Sequence, residues 1–116
     1  LGRYIFGRLR KQEFMFASMS AENLILEALR DLSMPVQFLA ACQPDDDEQI
    51  SHSRMAHGLS GMKRFTNEQA ARLLGLVREL RALQEEHAPL PLRWCQPELY
   101  KQVLRQRREQ GSQQDQ

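Results

Sequence analysis

The segment from Thr66 to Leu83 constrains this chain more than any other. Thr66 and Gln69 have the spacing of a capping box, in which the Thr hydroxyl and the Gln side chain satisfy each other's backbone amides. Behind them Ala70, Leu73, Leu74, Val77, Leu80 and Leu83 recur at helical intervals, which puts them on one face of an amphipathic helix. An apolar stripe of that length is stable only when other elements cover it. The rest of the chain must therefore supply packing partners.

Those partners read as further helices. Ser20 is a suitable N-cap beside Asn23, and Ile25, Ala28, Leu29 and Leu32 follow as one apolar stripe. Ser33-Met34-Pro35 ends that helix, because the residue before Pro disfavours helical backbone. A second helix is expected from Pro35 to Cys42, burying Val36, Leu39 and Ala40, with Cys42 as a small buried hydrophobe. Gln43 to Glu48 breaks the pattern and predicts a solvated, flexible acidic loop. A third helix follows from Ser51 to Ser60, closed by Gly61, with Met55, Ala56 and Leu59 facing inward. Met62 to Phe65 then turns the chain, with Phe65 as core anchor.

After Glu86, Pro89 and Pro91 impose an extended strap. Pro97 opens a last helix whose narrow apolar edge holds Leu99, Val103 and Leu104 beside Tyr100. Leu, Ala, Glu, Gln and Arg dominate while Val and Ile are scarce, a composition that favours helix over sheet. The fold class expected is all-α: a small helix-turn-helix bundle of four to five helices with an extended Pro-rich strap and a C-terminal helix. Four segments are expected: a basic stretch at 1–19 that is either a native arm or appended sequence, a domain at 20–86, a strap and C-terminal helix at 87–109, and a disordered tail at 110–116. With 116 residues and 41% hydrophobic content, one domain can bury a core without metal or disulfide.

Several chemistries lack their residues. Cys42 and Cys95 are the only cysteines and make no disulfide framework, which points to a reducing cytoplasm. His52 and His57 are five positions apart, not the four that align two ligands on a zinc helix. Asp45-x-Asp47 opens like a calcium loop but lacks its Gly and its later Glu. No paired acids, nucleophile–base set or Gly-rich phosphate loop is evident. The expectation is a non-enzymatic protein without metal, cofactor or membrane span.

Charge is unevenly distributed despite a net +1. Residues 20–50 carry Glu22, Glu27, Asp31 and the acids at 45–48 against Arg30 alone. Residues 51–82 carry Arg54, Lys63, Arg64, Arg72, Arg78 and Arg81 against Glu68 and Glu79. Such segregation suits an electrostatic footprint on nucleic acid, and equally suits ordinary solvated helix faces. Within the basic block, His52, Ser53, Arg54 and His57 are side chains able to read base edges. Ser51, at the helix N-terminus, could hold a phosphate, and Lys63 and Arg64 could grip the backbone beside it.

At this point the residues support a resemblance. Val36-Gln37-Phe38-Leu39-Ala40, Met55-Ala56, Leu59-Ser60-Gly61, Lys63-Arg64 and Glu68-Gln69-Ala70-Ala71-Arg72-Leu73 look like the lambda-repressor-like helix-turn-helix family of phage and prophage regulators. The likeness spans roughly Glu22 to Leu83. It departs from the family in its longer acidic connection before the third helix and in Gly58 within that helix. The resemblance implies a transcription regulator that binds double-stranded DNA in the major groove, often as a homodimer on a palindrome. The alternative is a protein-binding adaptor or inhibitor on the same scaffold. In either case the strap and last helix would dimerise or dock a partner through Leu99, Tyr100, Val103 and Arg107.

Overall fold

The computed structural model describes residues 20–86 and 94–114. Among these, five helices form an all-α bundle: α1 (Ala21–Leu32), α2 (Val36–Ala41), α3 (His52–Leu59), α4 (Asn67–Glu86) and α5 (Pro97–Gln114). The basic segment at 1–19, the prolines of the strap and the last two residues lie outside the described residues. None of the described helices is long and apolar enough to cross a membrane.

The helix starts follow the sequence signals. The Asn23 amide donates to the Ser20 hydroxyl at 3.2 Å, and the Arg54 amide donates to the Ser51 hydroxyl at 3.0 Å. At the head of α4 the capping box is reciprocal: the Thr66 amide donates to Gln69 Oε1 and the Gln69 amide to Thr66 Oγ1, both at 3.1 Å. Each bond removes a free amide that the first helical turn would otherwise leave unsatisfied. α1 ends at Ser33 in the left-handed region, at φ 53°. α3 ends ahead of Gly61, whose φ of 85° is open to glycine and strained for other residues.

α5 departs from the expected tail. It continues through Gly111 to Gln114, because an established helix gains a hydrogen bond for each residue added and the glutamines are good helix formers.

The long α4 is the spine. Leu73, Leu76, Val77, Leu80 and Leu83 are its buried side chains, so Leu76 lies in the core while Ala70 and Leu74 are only half-buried. α1 packs along α4, bringing Ile25 and Leu29 into the core; α2 packs on α3 and also touches α5. Cys42 is buried as expected, and burial pushes its thiol up to about 12. Phe38, rather than Val36, anchors α2. Its ring meets the rings of Trp94 and Tyr100 edge-on at 5.2 and 5.3 Å. The Trp94 indole N–H donates to the Leu32 carbonyl at 2.6 Å. That contact ties the chain entering α5 to the far end of α1.

α3 rests on the core through Met55 and Gly58, with Leu59 half-buried and Ala56 outside. The expected inward position of Ala56 is taken by Gly58, because the Phe65 ring packs directly on the glycine. A Cβ placed at Gly58 would lie 2.3 Å from that ring. At Gly75, in α4, an added Cβ meets nothing within 4 Å. Gly58→Ala should therefore destabilise the protein by about 1–3 kcal/mol despite its better helix propensity. Gly75→Ala should stabilise it by roughly 0.5–1 kcal/mol. Urea denaturation of both variants measures the opposite signs.

Candidate nucleic-acid interface

The short α3 presents a polar outer face. Ser51, His52, Ser53, Ala56, His57 and Ser60 are all exposed, while Met55 and Gly58 seat the opposite side. The His52, Ser53 and His57 side chains have no hydrogen-bond partner among the described residues. Lys63 is also exposed and unpaired there. Arg64 extends into solvent with its side chain 87% exposed, and approaches Glu22 only at 3.9 Å.

Arg54 does not belong to this outward set. Sequence spacing put it outside as a base reader, but its guanidinium turns back beneath the chain. It donates to the Lys63 carbonyl at 3.1 Å, to the Arg64 carbonyl at 2.6 Å and to Gln69 Oε1 at 3.3 Å. It also lies 5.0 Å from the centre of the Phe65 ring, a favourable placement of a cation over an aromatic face. The planar five-donor fork of Arg suits two carbonyls at a turn. Arg54 is thus a positioning residue that holds Lys63 and Arg64 in place.

The acidic connection is pinned, not loose. Gln43 is fully buried at its base. Its amide donates to the Ile50 carbonyl at 2.7 Å and the Ala40 carbonyl at 3.0 Å, while its oxygen accepts from the Ile50 amide at 2.9 Å. The two ends of the loop are joined as a pair of strand residues would be. Arg72 of α4 reaches the same oxygen at 3.2 Å and holds both oxygens of Asp46 at 2.9 and 3.1 Å. Asp45 accepts from Lys101 at 2.6 Å and lies 3.9 Å from Arg105.

These bonds favour the ionised acids. The Lys101 ammonium holds the Asp45 carboxyl below its ordinary value, and the Arg72 guanidinium does the same for Asp46. A lowered folded-state pKa contributes stability above the unfolded value that is lost as pH falls through the folded one. The pinned loop should therefore loosen only in acid, below the ordinary carboxylate range. Asp47 and Glu48 remain exposed and have no ion pair among the described residues.

The expected partner edge on the last helix is only partly a surface. Tyr100 is fully buried, and Leu99 and Val103 pack half-buried against the same core that holds Leu104. Arg107 pairs with Glu86 of α4. So small a bundle uses that narrow stripe to close its core between α2 and α4, leaving only the outer sides of Leu99 and Val103 exposed. Gln43 and Arg72, by contrast, were not legible as a site. Their one sequence signal is a polar amide closing an apolar helical run.

Removing the Gln43 side chain strands a buried amide and carbonyl at Ile50, so Gln43→Ala should cost about 2–4 kcal/mol. Arg54→Ala should cost about 1–3 kcal/mol and speed amide exchange from Met62 to Thr66. His57→Ala should change stability by less than about 0.5 kcal/mol. Chemical denaturation with hydrogen exchange separates the three.

Compared with protein-family models, with curated proteins and with solved structures, the chain matches none.

Proposed function

We propose that this protein binds double-stranded DNA through α3 and acts as a helix-turn-helix transcription regulator of the repressor-like kind its sequence resembles. The observation that carries this reading is the outer face of α3. A short helix, seated firmly from behind, offers His52, Ser53 and His57 with no internal partner. Side chains of these types, on a rod narrow enough for the major groove, are what direct readout uses.

Each residue has a distinct part. His52, Ser53 and His57 meet base edges. The Ser51 hydroxyl accepts the Arg54 amide, and its own proton remains to donate to a phosphate oxygen. Lys63 and Arg64, held by Arg54 from beneath, grip the backbone. Asp45 and Asp46 are neutralised by Lys101 and Arg72, which removes half of the loop's repulsion for phosphate. Asp47 and Glu48 precede the N-terminus of α3, so the cationic grip on the backbone falls at the opposite end of the helix, on the Lys63–Arg64 turn, and Ser51 adds only a neutral hydrogen bond at the near end. The adaptor alternative is weakened, since Tyr100 lies in the core and Leu99 and Val103 are half-buried against it.

Two exposed cations per chain, Lys63 and the loosely paired Arg64, imply a shallow salt dependence, with a slope of roughly −2 in log–log form for each chain bound. Selection from random duplexes at two salt concentrations should enrich one sequence. Lys63→Ala should then weaken all duplexes alike and reduce the slope by about one unit per chain. His57→Ala should relax a single base position at a cost of about 1–3 kcal/mol. Failure to enrich any sequence at either salt concentration would overturn the reading.

A further inference from the structure

A groove runs between α1 and α4. Leu24, Ala28, Leu74 and Val77 form its apolar floor, Glu27 and Asp31 stand on its α1 side, and Arg78 and Arg81 stand on its α4 side. The two helices present the same register. Leu24, Glu27, Ala28 and Asp31 are spaced i, i+3, i+4 and i+7, and so are Leu74, Val77, Arg78 and Arg81, so each set occupies one face of its helix. The acids on one rim are one helical turn apart, and so are the arginines on the other. Yet the rims do not close on each other. Among the described residues Asp31, Arg78 and Arg81 have no ion-pair partner, and Glu27 reaches only Arg30 of its own helix.

We propose that this groove is the docking surface for a second copy of the same chain. A twofold axis brings the acidic rim of each copy onto the basic rim of the other, so the surface is complementary to itself. The apolar floors then face each other inside a ring of opposed charges, which is the anatomy of a protein interface: an apolar centre with a polar rim. Matching one-turn spacing on α1 and α4 lets both acids meet both arginines at once, and the twofold axis repeats the set. Charge excludes the simplest competitors. A uniformly acidic partner is repelled by the α1 rim, and a uniformly basic one by the α4 rim. The inference does not rest on the DNA reading, because the groove shares no residue with the outer face of α3 and its test contains no DNA.

Charge exchange tests it directly on the full chain. Wild-type protein should sediment at twice the chain mass, and its dissociation constant should rise with salt. The double variant Arg78→Glu/Arg81→Glu carries acid on both rims and should be monomeric. Glu27→Arg/Asp31→Arg carries base on both rims and should be monomeric too. An equimolar mixture of the two should recover a dimer containing one chain of each kind, which also shows that both variants fold. Monomeric wild-type protein at high concentration would overturn the proposal. So would a double variant that still forms a homodimer, or a mixture of folded variants that stays monomeric.

Discussion

The geometry of the whole α2–α4 region depends on the buried side chain of Gln43. A loop rich in aspartate has no apolar reason to stay near the core, and its backbone groups would normally be satisfied by water. Gln43 overrides this by pairing with both backbone groups of Ile50, which closes the loop at its base and lets Ile50 itself enter the core. Arg72 then secures the same oxygen and Asp46 from the side of α4. Since α3 begins directly after Ile50, its direction is set by this clamp. An unpaired buried amide would be expensive; a fully paired one specifies a single arrangement.

A second junction sets the other end of α3. Gly58 allows the Phe65 ring to touch the helix backbone, and Arg54 covers that ring while binding the carbonyls of Lys63 and Arg64. The glycine inside a helix and the cation expected on its polar side are parts of one packing solution. The turn that carries the exposed cations is held from beneath by a residue that never leaves the protein.

The charge pattern changes most between one dimension and three. The basic block from Arg54 to Arg81 is one stretch of the chain but divides in space among four places. Arg54 goes beneath the turn, Arg72 to the acidic loop, and Arg78 and Arg81 to the α1–α4 groove, leaving Lys63 and Arg64 beside α3. The acidic block divides likewise, with Asp45 and Asp46 answered by Lys101 and Arg72. A linear charge count overstates any single footprint, because a helix distributes successive residues around its axis and packing decides which directions remain in water.

Helix positions were legible in the sequence because their causes are local. Caps at Ser20, Ser51 and Thr66, the stop at Pro35 and the periodic leucines of α4 act within a turn or two of the backbone, so the residues alone determine them. The inward role of Met55 followed from the same periodicity. The partners of Arg54, Gln43, Arg72 and Tyr100 were not legible, because each lies across a contact that exists only once helices pack. A long polar side chain at a helix edge can reach water, a neighbouring carbonyl or a distant acid with little difference in local energy. Only the tertiary arrangement, by removing water from one side and placing an acceptor on the other, decides which of these it meets.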